Sequence, residues 1–296
     1  MRNVSGHGRR LSYYDFGHTT VYASRFDQRF PYCAYVPEDY DEDGGKTYPL
    51  AVIVHGTERG MLAYRDAFAD FAEQNGVIVL APLFPANICF PGDLSSYKML
   101  RQGDLHYDAV LLDMVEEMRE RYRIRGDRVL MYGFSGGGHF THRFLFLHPE
   151  RLLAASIGAP GVVTLLDFDH DFWVGVRDFE KVFGKKIDLD AMRKVAVQMV
   201  IGGDDLQTWE ITIKPEDDWW MPGADLAGAT RNDRIRSLKG SLERHSVEVH
   251  LDVVPGIAHN DRELIAKVKE FFARTLNAAR LKNCSQQTGD KKWEQD

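Results

Sequence analysis

Apolar runs of strand length alternate with segments of helical periodicity along most of this 296-residue chain. Several runs are apolar almost without interruption, which is typical of strands that are covered on both faces of a sheet. The strands predicted from these runs span residues 48–56, 77–85, 128–134, 152–160 and 195–203. Because strands separated by helices form parallel sheets, the sequence predicts an α/β fold with a mostly parallel central sheet flanked by helices on both faces.

Two further strands and five helices complete this pattern. The sequence FPYCAYVPEDY at 30–40 predicts an early strand that ends at a proline turn. The stretch VEVHLDVVPG at 247–256 alternates apolar and polar residues, so we expect a strand nearer the edge of the sheet. Helices are predicted at 61–76, 104–122, from about 137 to 148, 225–244 and 260–276.

Two stretches interrupt the alternation. Residues 162–192 and 206–224 are rich in aromatic side chains and are long for plain connections between elements. We therefore predict aromatic-rich cap insertions at these places, within a single domain that covers residues 1–280. The remaining residues, 281–296, are polar and are predicted to form a C-terminal tail.

The sequence RVLMYGFSGGGHF at 128–140 sets one serine among four glycines directly after a predicted strand. A serine hydroxyl is a poor nucleophile unless it is held rigidly beside a base. G-F-S-G-G at 133–137 matches the G-x-S-x-G nucleophile elbow, in which the serine occupies a sharp strand-to-helix turn and glycines make room for it. Ser135 is the predicted nucleophile; an ordinary glycine-rich turn between a strand and a helix is the structural alternative.

The partners of such a serine follow it along the chain in the order acid, then histidine. The strand at 195–203 ends at Asp204 and Asp205, and His259 lies in a turn before the last helix. His259 would accept the proton of Ser135 and pass it to the leaving group, while the acid orients the imidazole. Neighbouring side chains at a strand end point in opposite directions, so only one aspartate is expected to reach His259. For His259 the alternative is a loop histidine without a catalytic role.

An oxyanion hole needs two backbone donors near the nucleophile. The N–H of Gly136, directly after the serine, is predicted to be the first donor. The second is expected in the loop after the strand at 48–54, where Thr57 is our prediction and Glu58 the alternative. His55 in the same loop is expected to be a structural histidine rather than a second base.

The chain resembles the α/β-hydrolase superfamily over roughly residues 30–280. The matching motifs are HGT at 55–57, GFSGG at 133–137, GGDD at 202–205 and GIAHN at 256–260. Within the superfamily, APLFP, SGGGHFTHRF and SIGAPG are similar to bacterial esterases and polyester-depolymerase-like serine hydrolases. The resemblance implies a Ser-Asp-His triad that acts through an acyl-enzyme.

The superfamily pattern also favours one of the two aspartates. In many α/β hydrolases the acid follows a strand-ending glycine by three positions, and Gly202 plus three is Asp205. Asp205 is therefore the predicted acid, with Asp204 as the main alternative and Asp167 as a more remote one. The oxyanion loop departs from the glycine run of some lipases, because it carries Glu58 and Arg59.

The aromatic insertions suggest where a substrate could bind. Three of the five tryptophans, Trp209, Trp219 and Trp220, follow the predicted acid closely, and Trp173 lies in the other insertion. With Glu58, they are the predicted substrate-binding residues and would form an apolar cap over the serine. Packing of the rings onto the body of the domain is an equal alternative.

The composition of the chain argues against several classes of binding partner. A net charge of −7 without a basic stripe argues against nucleic acid. The three cysteines are odd in number and widely spaced, so neither a disulfide framework nor a metal site is expected. The first residues lack the apolar core of a signal peptide, and no run is long enough for a membrane span. We expect a cytoplasmic protein without cofactor, metal or membrane partner, while assembly into a homo-oligomer stays open.

The leading functional hypothesis is a serine hydrolase that cleaves a carboxylic ester of a small, partly apolar molecule. A second hypothesis keeps the triad and cleaves an amide, a thioester, a lactone or a carbon–carbon bond. A third is a small-molecule receptor that retained the fold without turnover. The triad alone does not separate the first two.

Overall fold

A central sheet and the helices around it are the main elements of the computed structural model, which describes residues 10–290. The strands are β1 (Gly17–His18), β2 (Tyr22–Ala23), β3 (Pro31–Val36), β4 (Leu50–Val54), β5 (Ile78–Pro82), β6 (Arg101–Gln102), β7 (Leu105–His106), β8 (Val129–Phe134), β9 (Leu152–Gly158), β10 (Ala196–Gly202) and β11 (Val249–Val254). The helices are α1 (Met61–Ala67), α2 (Ala69–Asn75), α3 (Tyr107–Arg121), α4 (Gly136–Leu147), α5 (Phe179–Phe183), α6 (Leu189–Met192), α7 (Arg231–Glu243) and α8 (Arg262–Asp290).

The main sheet has the order β1-β3-β5-β4-β8-β9-β10-β11, with β2 paired to β3 beside β1. The six strands from β5 to β11 along this order run parallel, and β1, β2 and β3 pair antiparallel. This arrangement confirms the mostly parallel α/β sheet. The alternating strand β11 stands at the edge, as predicted.

The apolar runs form the middle of the sheet. Every residue of β4, β5 and β8 is buried. Helices cover these strands: α4 packs on β8 and β9, and α8 packs on β9 and β10. One cluster of buried apolar side chains extends from Leu11 to Leu276. The carboxyl ends of β8 and β10 consequently open on the same edge of the sheet, where ligands bind in α/β proteins.

Several boundaries differ from the sequence prediction. The helix expected at 61–76 is divided at Phe68 into α1 and α2 and ends where Gly76 takes a left-handed conformation, with φ of 62°. The helix expected at 225–244 begins only at Arg231, where Thr230 caps it. α8 continues to Asp290, so residues 281–290 of the expected tail are helical. Residues 1–9 and 291–296 lie outside the described residues.

The two predicted insertions differ from each other. Residues 162–192 contain the short helices α5 and α6, whereas residues 206–224 contain neither helix nor strand. No helix between residues 10 and 290 combines the length and the apolar composition needed to cross a membrane.

Candidate active site

Ser135 occupies the turn between β8 and α4. Its backbone has φ of 52° and ψ of −113°, a conformation that is strained for a residue with a Cβ atom. The Ser135 N–H donates to the carbonyl of Gly158 in β9 at 2.8 Å, and the Ser135 carbonyl accepts from the His139 N–H at 3.0 Å. The neighbouring strand and the first turn of α4 thus hold the strained residue from both sides, as in a nucleophile elbow.

Three of the glycines around Ser135 allow backbone segments to approach closely. A Cβ atom on Gly133 would lie 2.2 Å from the carbonyl oxygen of Gly137. On Gly137 it would lie 2.3 Å from the carbonyl oxygen of Val54, and on Gly138 it would lie 2.4 Å from that of Gly158. Because these obstacles are main-chain atoms, a side chain at these positions cannot be accommodated by a rotamer change.

We expect Gly133→Ala to destabilise the protein by about 3 kcal/mol or more, because the added methyl overlaps main-chain atoms and overpacking of this kind is costly. Gly45→Ala is the matched control, since a Cβ atom there meets nothing within 4 Å. Thermal unfolding of the two variants and the wild type measures the difference. Equal melting temperatures for both variants would contradict the close approach.

His259 and Asp205 form a hydrogen-bonded pair. Asp205 follows β10 and is 1% exposed, and its Oδ2 lies 2.6 Å from Nδ1 of His259. A carboxylate at this nitrogen accepts the Nδ1–H and leaves Nε2 free to accept a proton. Asp204, the alternative acid, is exposed.

The strand end that carries Asp205 is fixed by α7. Asn232 donates from Nδ2 to the carbonyls of Gly202 at 3.0 Å and of Asp205 at 3.3 Å. The buried Arg231 donates from Nη1 to Oδ1 of Asp205 at 3.3 Å and from Nη2 to Oε2 of Glu210 at 2.7 Å. The second carboxylate oxygen of Asp205 is therefore engaged, which orients the first toward His259.

The imidazole of His259 lies over the strand end that precedes the serine. Its ring centroid is 4.6 Å from that of Phe134, with 31° between the ring planes. Ser135, His259 and Thr57 all line one cleft of about 1160 Å³. Ser135 and the His259–Asp205 pair therefore lie at one cleft, at the carboxyl ends of the strands.

Of the two predicted oxyanion donors, Thr57 lines the cleft, and Gly136 directly follows the lining residue Ser135. Gly136 is the first residue of α4, so its N–H has no carbonyl partner within the helix. A Cβ atom on Gly136 would lie 3.0 Å from Oγ1 of Thr57. Glu58 also lines the cleft but is exposed to solvent.

Arg59 explains why this loop can differ from a run of glycines. Its guanidinium donates to the carbonyls of Thr57, Phe84 and Leu94, the last two at 3.2 Å and 2.9 Å. It also lies over the ring of Tyr97, 5.2 Å from the centroid. These contacts hold the loop in place, so Arg59 has a structural role there.

His55 is engaged on both ring nitrogens. Nδ1 donates to the Gly56 carbonyl at 2.7 Å, and Nε2 accepts from the Phe84 N–H at 2.9 Å. Burial lowers the pKa of His55 to about 4, so the ring stays neutral. A neutral imidazole with both nitrogens occupied is structural, as expected from the sequence.

The four tryptophans divide into different roles. Only Trp219 of the four is among the residues that line the cleft. Trp173 is buried beneath it, with ring centroids 5.6 Å apart, and donates from Nε1 to the Trp219 carbonyl at 2.9 Å. Trp209 and Trp220 are 74% and 42% exposed and lie outside the lining.

Several charged lining residues were not singled out by sequence patterns. Two of them are basic and lie next to the site, Lys98 between β5 and β6 and Arg231 at the start of α7; the others are Glu210, Asp217, Asp261 and Arg262. Single basic residues in such segments resemble ordinary solvated side chains, so no sequence signal marked them. Among residues 10–290, no group of three or more histidine, cysteine or acidic side chains is placed to hold a metal ion.

No protein-family model matches the chain, and no curated protein matches its sequence. Solved structures do resemble it. Poly(aspartic acid) hydrolase-1 from Sphingomonas sp. KT-1 has a TM-score of 0.66 at 21% identity, covering 81% of this chain and 92% of its own. LpqC, a poly(3-hydroxybutyrate) depolymerase from Bordetella parapertussis, has a TM-score of 0.67 at 22% identity, with coverages of 86% and 90%.

A third similar structure is FphF, a fluorophosphonate-binding serine hydrolase from Staphylococcus aureus. Its TM-score is 0.57 at 13% identity, and the match covers 88% of this chain and 99% of that protein. Identities of this size establish the architecture rather than the substrate. The sheet order, the strained serine turn and these neighbours show that the chain has the α/β-hydrolase fold.

Proposed function

We propose that this protein is a serine hydrolase that cleaves carboxylic esters of small, partly apolar molecules through an acyl-enzyme. The observation that carries the proposal is the strained Ser135 in the same cleft as the His259–Asp205 pair. A strained backbone conformation persists only where the surrounding structure enforces it, and such strain is concentrated at functional sites.

The proposed reaction has two halves. The Oγ atom of Ser135 attacks the ester carbonyl carbon while Nε2 of His259 takes the hydroxyl proton. The N–H groups of Thr57 and Gly136 stabilise the negative oxygen of the tetrahedral intermediate. As the intermediate collapses, the alcohol leaves with the proton from His259 and the acyl group stays on Ser135. Water, deprotonated by His259, then releases the acid and restores the serine.

Asp205 acts through His259. Its carboxylate holds the Nδ1–H at 2.6 Å, which keeps Nε2 unprotonated before attack. When His259 becomes an imidazolium, the buried negative charge stabilises it. Arg231 and Asn232 keep this carboxylate and its strand end in place.

Similar structures support the ester bond as the target. Their names include a poly(3-hydroxybutyrate) depolymerase, a ferulic acid esterase and an S-formylglutathione hydrolase. These names describe esters in two cases and a thioester in the third. The polar and apolar lining of the cleft is compatible with a small ester of this general kind.

Active-site labelling tests the proposal. A fluorophosphonate should add to one residue, and mass spectrometry of the tryptic peptides should locate the adduct on Ser135. Protein unfolded before exposure is the control, because the serine is reactive only beside its base. A panel of esters, amides and lactones of graded chain length should then show fastest turnover on esters. An adduct elsewhere on the folded protein would contradict the assignment.

Trp219 is expected to set part of the chain-length preference. Each methylene that contacts its ring should contribute about 0.8 kcal/mol, or roughly a factor of four in kcat/KM. Trp219→Ala should remove this gain along a p-nitrophenyl ester series from acetate to octanoate. Trp209→Ala is the control, because Trp209 is 74% exposed and outside the lining. A lower melting temperature with an unchanged preference would show that Trp219 only packs on Trp173.

A further inference from the structure

Lys98 is a cation of the cleft without a carboxylate partner. It lies on a short 3-10 turn, Ser96–Met99, and lines the cleft beside the nucleophile turn. Its Cε atom is 3.1 Å from the position that a Cβ atom on Gly136 would take, and its ammonium is one bond further. The ammonium donates to Oγ of Ser95 at 3.3 Å. Within the described part of the chain, no carboxylate oxygen lies within 4 Å of it.

The turn that presents Lys98 is fixed on several sides. Oδ1 of Asp93 accepts from the N–H groups of Ser95 and Ser96, each at 3.0 Å. Nη1 of Arg143 in α4 donates to the Lys98 carbonyl at 2.8 Å. The ring of Tyr97 is buried against His55. The backbone from which the Lys98 side chain extends is therefore fixed, which limits where the ammonium can lie.

Two arginines near Lys98 donate to neutral groups. Arg143 is fully buried, and its guanidinium donates to Oγ1 of Thr164 and to main-chain carbonyls. Arg59 likewise donates to main-chain carbonyls. Arg231, which also lines the cleft, is in contrast paired with Asp205 and Glu210. Asp93 and Glu210 attract the ammonium of Lys98 from a distance, so its positive charge is only partly compensated. A half-buried cation that no carboxylate contacts is costly, and an anionic ligand would remove that cost.

We propose that Lys98 forms an anion subsite and that the preferred substrates are esters with a free carboxylate a few bonds from the scissile carbonyl. One ammonium matches one singly charged carboxylate. The short reach follows from the position of Lys98 beside Gly136, whose N–H is the proposed oxyanion donor. The proposal rests on the proposed function, because it assumes that Ser135 attacks an ester in this cleft.

The carboxylate can stand on either side of the ester bond, and two pairs of substrates separate these cases. Monomethyl succinate and methyl butanoate differ by a carboxylate on the acyl side. 4-Acetoxybutanoate and butyl acetate differ by a carboxylate on the alcohol side. Acid release in a pH-stat gives kcat/KM for all four esters without a coloured leaving group.

Lys98→Met keeps the length and the apolar stem of the side chain and removes the charge. On the charged ester of at least one pair, kcat/KM should fall about tenfold to a hundredfold, since hydrogen bonds to charged groups have this strength. On both neutral esters it should stay within about threefold. Lys186→Met is the control, because the Lys186 side chain is 78% exposed and outside the lining. Lys186→Met should leave kcat/KM unchanged on all four esters.

The preference should also depend on pH. Burial is the main reason that the pKa of Lys98 is lowered to about 8, and neighbouring cations add to the effect. The charged and titratable groups that act on the ammonium are Arg59, Arg143, Glu210, Asp93, His55 and His139. The cation is present below this pKa, so the ratio of charged to neutral ester should decline as pH rises through about 8. Any group on which both esters of a pair depend equally cancels in this ratio.

Two results would overturn the proposal: an equal loss on charged and neutral esters, or no loss in either pair. Failure of the proposed function would look different, because the wild type would then hydrolyse none of the four esters. In that case calorimetric binding of succinate to Ser135→Ala decides the question. Binding that Lys98→Met abolishes supports the subsite, and absence of binding to Ser135→Ala overturns it.

Discussion

Replacing Ser135 by alanine should lower kcat on any ester by a factor on the order of 10⁶, because removal of the nucleophile leaves only binding and oxyanion stabilisation. A residual acceleration of about 10³ to 10⁴ over water should persist from the Thr57 and Gly136 donors. The measurement is kcat on a p-nitrophenyl butyrate assay sensitive enough to follow slow turnover. The variant should also lose fluorophosphonate labelling.

Ser237→Ala provides the matched control for this loss. Ser237 lies on α7 and does not line the cleft, so the same chemical change there should leave kcat within about twofold of the wild type. Melting temperatures of both variants exclude unfolding as the cause. A Ser135→Ala variant that retains turnover would assign the chemistry to another residue.

The mostly parallel sheet could be predicted from the sequence because its apolar runs have one physical explanation. Residues 50–54, 78–82 and 129–134 are buried throughout, and only strands covered on both faces need such continuous runs. The alternating stretch around Val249 likewise indicated an edge strand, and β11 stands at the edge. The helix ends were less accurate, because the capping box of Thr230 and Asp233 rather than periodicity decides where α7 begins.

Two residues of the candidate site could be predicted because short sequence motifs determine their backbone geometry. The turn at Ser135 requires glycines at 133 and 137 because main-chain atoms lie where their Cβ atoms would be. Counting three positions from Gly202 selected the aspartate that contacts His259 in the structure. Both predictions depend only on residues that are close together in the sequence, and a short motif is sufficient to identify them.

The rest of the cleft depends on contacts between distant segments. Trp209 and Trp219 are equivalent in a sequence pattern, yet only Trp219 lines the cleft, since the path of residues 206–224 decides which ring faces it. Lys98 acquires its position from Arg143, 45 residues away along the chain. The positions of these side chains follow only from the folded structure, so the proposed anion subsite could not be predicted from the sequence.

Asp205→Asn should lower kcat by a factor on the order of 10⁴, as the same change does in a serine-protease triad. An amide can donate to Nδ1 of His259, which would place the proton on Nε2 and remove the base. Asp205 also contacts the buried Arg231, so the variant should lose stability as well. Turnover is therefore measured well below the melting temperature of the variant, on one ester for all variants.

Asp204→Asn is the adjacent control and should cost less than about threefold, because Asp204 is exposed and its N–H rather than its carboxylate contacts the turn of His259 through the Ile257 carbonyl. The pair of variants separates orientation of the imidazole from a general effect of negative charge near the cleft. Both aspartates contribute one charge to this region, whereas only Asp205 contacts Nδ1. Equal losses of kcat in the two variants would mean that negative charge near the cleft matters more than the hydrogen bond to Nδ1 of His259. A larger loss at Asp204 would mean that the acid reaches His259 from the neighbouring position during turnover.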